Sequence, residues 1–233
     1  MRIRRNLAAA FAATALLAAT AVTTGASDAQ ASVPGAAAKA LGVESTPMNE
    51  CSAASYDNDS RLGPLELPTI GRVGDQLLGY RRAGYLRDTA DLLAKYWSPT
   101  ANNGAPGWVY PPEGGYLIGR DGRPIKTTET LVPGSDIDRY GSQYGTYLAP
   151  EGLPYSARSL PPSSLNSDPA ATCNYHDYKV DKPFRVDAGP IAPWFGQPGH
   201  GWQYQLDAAL LPGAPAALNV LWLVDNHYLS PVA

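Results

Sequence analysis

The 233 residues carry 21 acidic and 18 basic side chains, a formal net charge of −3, and no Lys/Arg-rich stripe, which excludes a nucleic-acid surface as the expected mode of action. The length suffices for one sizeable core with a small appended lobe. Beyond residue 31 no second long apolar run appears, so no membrane segment is expected in the mature product.

In chain order, Arg2, Arg4 and Arg5 precede an Ala/Leu/Val/Phe/Thr-rich stretch over residues 7–22, and Ala29-Gln30-Ala31 offers a small-x-small cleavage pattern. Residues 1–31 therefore read as a secretory signal peptide cut near Ala31, giving an extracellular protein. Without them the chain keeps 202 residues, 15 basic and 20 acidic. Residues 32–50 are small and lack an apolar period, and read as a flexible leader.

Cys51 and Cys173 are the two cysteines. An even count in a secreted chain favours a disulfide between them, with two free thiols as the alternative. A catalytic thiol would need a neighbouring base and an exposed thiolate.

Residues 51–99 read as an N-terminal helical lobe, although its helix would equally suit the main fold. Leu86, Ala90, Leu93 and Trp97 fall at i, i+4, i+7 and i+11, which predicts a helix over residues 80–97 that Pro99 ends. Residues 100–107 read as a loop with a turn at Asn102-Asn103-Gly104. From residue 100 to 233 the texture is that of a single further domain. Residues 116–118, 128–132, 175–180 and 202–206 read as short strands between Gly, Pro, Asp and Asn. Residues 218–224 form an apolar run that suits a buried strand or a helical turn equally. No G-x-G-x-x-G, no phosphate loop, no H-E-x-x-H and no G-x-S-x-G elbow is present.

Four segments concentrate aromatic, glycine, proline and charged residues. They are Gly107-Trp108-Val109-Tyr110-Pro111-Pro112-Glu113-Gly114-Gly115-Tyr116, the run from Ile137-Asp138-Arg139-Tyr140-Gly141 to Tyr147-Leu148-Ala149-Pro150, Tyr155-Ser156-Ala157-Arg158-Ser159-Leu160-Pro161-Pro162, and Gly189-Pro190-Ile191-Ala192-Pro193-Trp194-Phe195-Gly196-Gln197-Pro198-Gly199-His200-Gly201-Trp202-Gln203-Tyr204. In this order and spacing they resemble the TNT family, the domain of the tuberculosis necrotizing toxin, and more closely its secreted fungal-type NADases. The likeness runs from about Trp108 to Tyr204.

The resemblance implies an α+β fold with a twisted antiparallel sheet, and NAD(P)+ glycohydrolase activity giving nicotinamide and ADP-ribose. By motif, Gln203 is the catalytic glutamine, Arg139 contacts the substrate phosphates, Tyr147 lines the same cleft, and His176 matches a histidine implicated in activity. Arg158 is a second basic contact, and Tyr140 and Trp194 offer stacking faces. His200 and Trp202 stand where smaller residues are expected. NAD(P)+ is the substrate and no cofactor is required. Some secreted relatives bind calcium, but no dense acidic loop offers it a place here. An immunity protein is among the partners the likeness allows.

The chemistry accepts a site without paired carboxylates. Cleaving an O-glycoside takes an acid to protonate the departing oxygen. Nicotinamide instead departs from a cationic pyridinium nitrogen as a neutral molecule. Arginine suits the pyrophosphate, and a glutamine amide orients a sugar hydroxyl or a water without adding charge. Two alternatives stand beside hydrolysis. One is transfer or cyclisation of ADP-ribose, which a glutamate would suit better than Gln203. The other is a secreted nucleotide-binding module without turnover.

Overall fold

The computed structural model describes residues 49–232. The signal peptide and nearly all of the leader expected from the sequence lie outside them. Among the described residues no helix is long and apolar enough to cross a membrane.

The described residues open with turns and a short helix, α1 (Gly71–Gln76), followed by α2 (Thr89–Tyr96). The helix expected over residues 80–97 is thus confined to its last half. Asp88 caps α2 by accepting from the Asp91 amide, which places the start there. Upstream, Gly84 has φ +58, and a Cβ on it would stand 1.8 Å from the Gly196 carbonyl oxygen. Residues 80–87 are therefore held as turns against the Gly196 loop. At the other end Pro99 does not stop the helix. Trp97 already pairs with Trp108, as β1 (Trp97–Asn102) and β2 (Ala105–Trp108) form a hairpin where a loop was expected. Its turn is the expected one, with Asn103 and Gly104 at φ 50 and 90, as a tight hairpin turn requires.

Seven strands make the main sheet: β3 (Thr127–Leu131), β4 (Asp136–Tyr140), β5 (Tyr147–Pro150), β6 (Tyr175–Val180), β7 (Phe184–Pro190), β8 (Trp202–Gln205) and β9 (Leu229–Pro231). Their order is β3-β7-β8-β5-β4-β6-β9, and every pairing is antiparallel. The α+β class with an antiparallel sheet is as expected. Strands expected over residues 128–132, 175–180 and 202–206 correspond to β3, β6 and β8. Residues 116–118 form no strand; Tyr116 and Ile118 make single bridges to Ile191 and Pro124, because turns at Gly114-Gly115 and Gly119 leave no room for a ladder. The 218–224 run resolves as a helix, α3 (Val220–Asp225), capped by the Asn219 side chain on the Trp222 amide.

Alternation along β4 divides the interior. Ile137 joins Leu148, Tyr178, Val186, Val220 and Leu223 in the larger core. Tyr140 joins Tyr155, Leu77 and the Cys51–Cys173 disulfide in a second core. A third holds Leu92, Tyr96, Trp108 and Phe195. Each fully buried leucine contributes about 1.5–3 kcal/mol. Residues 51–99 thus share cores with the sheet, and they also tie to it by polar bonds: Gln197 Nε2 donates to the Arg81 carbonyl at 2.8 Å and the Tyr85 amide to the Gly196 carbonyl at 2.9 Å.

Candidate active site

A cavity of about 710 Å³ opens beside β4, β5 and β8. Arg139, Tyr147 and Gln203 all line it, from three different strands, as do Tyr140 and Arg158. His176 and Trp194 do not appear among its lining residues.

Arg139 lies on β4 with its guanidinium folded over the following loop. Nε donates to the Gly141 carbonyl at 3.1 Å and Nη1 to the Tyr147 carbonyl at 2.6 Å. Three of its five N–H donors make no bond, and no carboxylate pairs with it among the described residues. Burial lowers its pKa, yet a guanidinium stays protonated in proteins. A partly buried, unpaired cation with free donors is suited to take an anion. Gly145 makes room for it, since a Cβ there would stand 2.3 Å from Nη2. The loop is braced from behind, where the Val220 and Leu221 amides of α3 donate to the Gly145 and Gln143 carbonyls at 3.1 and 2.9 Å.

Asp138, the neighbour of Arg139, faces the other way and is fully buried. Arg158 grips it with Nη1–Oδ1 at 2.5 Å and Nη2–Oδ2 at 2.8 Å. Arg158 also donates to the Gln76 side chain of α1 and to the Leu153 carbonyl, which leaves one donor free. The Gly152 amide and the Tyr175 hydroxyl donate to Asp138 as well. Arg158 therefore reaches the cavity wall as half of a buried, hydrogen-bonded ion pair, and Asp138, the single carboxylate among the described lining residues, is fully engaged.

Tyr140 packs edge-on against Tyr155 with its hydroxyl buried and unpartnered, and burial raises its pKa. Tyr147 is 37% exposed at the rim. Gln203 is nearly buried on β8, and its Nε2 donates to the Gly114 carbonyl at 2.8 Å. His176 sits opposite Arg139 in the β4–β6 register. Burial, and then the Arg139 charge, lower its pKa, so its neutral form prevails at pH 7. Trp194 belongs to the aromatic core, with Nε1 donating to the Val109 carbonyl at 2.7 Å and its ring 5.5 Å from Tyr96. His200 is exposed at φ 64 and Trp202 packs on the larger core, so neither intrudes on the cavity.

Sequence reasoning did not single out Gly145, Gly115 or the exposed rim residue Tyr144 as cavity-forming. Glycine repetition around Arg139-Tyr140-Gly141 was the available signal, but which glycine meets which side chain depends on the fold.

The fold and cavity define a small α+β protein whose site presents one unpaired arginine and one neutral amide. The chain belongs to the tuberculosis necrotizing toxin family. A family model of that description matches residues 130–232. The conidial surface nicotinamide adenine dinucleotide glycohydrolase nadA of Aspergillus fumigatus is 42% identical over 186 residues, covering 77% of this chain and 74% of the relative. A solved structure of tuberculosis necrotizing toxin complexed with its immunity factor aligns at a TM-score of 0.47 and 18% identity, over 80% of this chain and 87% of that one.

Proposed function

We propose that this protein is a secreted NAD(P)+ glycohydrolase. The observation that carries the reading is the composition of the cavity: Arg139 is an unpaired cation, Gln203 a neutral amide, and the lining carboxylate Asp138 is tied up by Arg158. Such a site cannot run the two-carboxylate cleavage of an ordinary glycoside. It suits a bond whose leaving group departs neutral without being protonated. The 42% identical relative is named for NAD glycohydrolase activity, and its conidial surface location accords with export.

In this reading Arg139 holds the pyrophosphate with its three free donors, while Tyr140 and Tyr147 wall the cleft. Gln203 orients the ribosyl ring or the attacking water. Water oxygen bonds to C1′ as the C1′–N bond breaks. The bonding pair passes to the pyridinium nitrogen, neutral nicotinamide leaves, and the proton of the water goes to solvent. Positioning of this kind can supply several kcal/mol of barrier reduction, about 7–11 kcal/mol when ideal. Arg158 acts as a structural post for the β4 strand that carries Arg139.

The test is etheno-NAD turnover. The wild-type protein is expected to raise fluorescence, and Gln203→Ala to slow it at least about tenfold with the fold retained, the effect of losing about 1.4 kcal/mol of transition-state stabilisation. Unchanged turnover in the variant would remove Gln203 from the mechanism. Chromatography of the products distinguishes hydrolysis from transfer or cyclisation, which would yield a labelled protein or a cyclic nucleotide.

A further inference from the structure

The cavity differs from one end to the other, and a chain of contacts orders it. At one end the Arg139 guanidinium bonds the Tyr147 carbonyl. Gly114 comes next: a Cβ on it would stand 3.4 Å from the Tyr147 hydroxyl, and its carbonyl accepts from Gln203 Nε2. Gly115 then links Gln203 to Pro111, since a Cβ there would stand 3.8 Å from Gln203 Oε1 and 3.3 Å from Pro111 Cγ. The Gly115 carbonyl accepts from the Ala192 amide at 2.8 Å, which brings the lining residue Ile191 to the same place. Tyr110 adjoins Pro111. With Ser163 it lines this cavity and also a second one of about 460 Å³, which Arg139 does not line.

Tyr110 is held in position from several sides. The Val109 amide donates to the Tyr96 carbonyl at 2.8 Å, the Val109 carbonyl accepts from Trp194 Nε1, and two prolines follow. The Tyr110 ring stands edge-on to the buried Phe195, 5.6 Å between centroids, yet the residue stays 61% exposed. It is a flat face set in advance. Ser163 lies in the 3-10 turn Pro162–Leu165, where its Oγ accepts from Trp108 Nε1 at 2.9 Å. That bond fixes the oxygen and leaves the hydroxyl proton, which goes to no acceptor among the described residues. An aromatic face, apolar neighbours and one oriented donor suit a pyridine ring that bears a carboxamide.

Building on the NAD reading above, we propose that this end of the cavity is the nicotinamide subsite. The ring lies against Tyr110 and Pro111, and the Ser163 hydroxyl donates to the carboxamide oxygen. With the pyrophosphate on Arg139 and the ribosyl carbon at Gln203, the leaving ring falls on the side of Gln203 away from the arginine. As the C1′–N bond breaks, the ring gains electron density and its carboxamide oxygen becomes the better acceptor. The Ser163 bond therefore strengthens toward the transition state, which is where binding accelerates a reaction.

Ser163→Ala deletes one half-buried hydroxyl. It is expected to lower kcat/KM for NAD about tenfold, and for thionicotinamide adenine dinucleotide by no more than about twofold, because sulfur in place of the carboxamide oxygen accepts only weakly. Equal losses on the two substrates overturn the proposal. They are the result of a merely structural role, or of the adenine, which both substrates share, occupying this end. An unchanged kcat/KM for NAD overturns it as well. Wild-type protein that leaves NAD intact would instead overturn the functional reading on which this one rests.

Discussion

Arg139 and Gly145 act as one unit. The arginine bends back to bond the Gly141 and Tyr147 carbonyls, and the glycine supplies the space for its outer nitrogen. A methyl group at residue 145 would meet the end of a flexible side chain, so the guanidinium moves and the backbone does not. Gly145→Ala is therefore expected to raise KM for NAD about tenfold through a displaced phosphate contact, while Tm shifts by no more than about 4 °C, the equivalent of roughly 1 kcal/mol. Steady-state kinetics and a thermal melt measure both. An unaltered KM would show that Arg139 reaches the substrate from another rotamer. The sequence made Arg139 conspicuous by its motif. It did not reveal that the adjacent Asp138 belongs to Arg158, because two consecutive strand residues face opposite sides and each finds its partner in a different layer.

The pairing of β4 with β6 sets Arg139 opposite His176. That register links the charge of the site to the protonation of a strand residue outside the cavity. Burial and the facing guanidinium both depress the His176 pKa below its ordinary 6.5, so the native protein favours the neutral ring. The unfolded chain takes up its proton first as pH falls. The stabilisation from His176 is thus complete above about pH 6.5 and is lost as pH drops below that value toward the depressed native pKa. In thermal melts from pH 7 to pH 5, wild-type protein is expected to lose more Tm than His176→Gln, which lacks this titration. Parallel curves would contradict the assignment. Other elements were less legible. β4 and β7 were not among the expected strands, since Asp136-Ile137-Asp138-Arg139-Tyr140 and Phe184-Arg185-Val186-Asp187-Ala188-Gly189-Pro190 carry charges and breakers. They are strands because Asp138 is neutralised by Arg158 and Asp187 pairs with Lys126 at 2.6 Å.

Across the whole molecule, Cys51–Cys173 closes a sequence separation of 122 residues and joins the start of the described chain to the segment entering β6. Gln76 adds a second tie, its side-chain oxygen accepting from Arg158 at 3.0 Å. The bridge constrains the unfolded chain far more than it does the native one, worth about 4–5 kcal/mol in the chain-entropy treatment. A Cys51→Ser/Cys173→Ser variant is expected to unfold at lower urea, with a stability loss of up to about 4 kcal/mol. A loss below about 1 kcal/mol would place the stability in the shared cores alone.

The amino-acid sequence by itself determined the turn at Asn103-Gly104 and the cysteine pair, and through the family resemblance of its motifs it implied the α+β class and the residues Arg139, Tyr147 and Gln203 that meet in one cavity. The first two depend on turn propensity and residue type, which act over a few positions, and the rest on the order and spacing of the motifs. Tertiary structure alone decided that Arg158 is bound to Asp138, that Trp194 packs on the aromatic core and His176 is a neighbour of Arg139, and that the Gly114 carbonyl meets the nitrogen of Gln203. Each of these is a contact between segments far apart in the chain, and no local pattern encodes the register that brings them together.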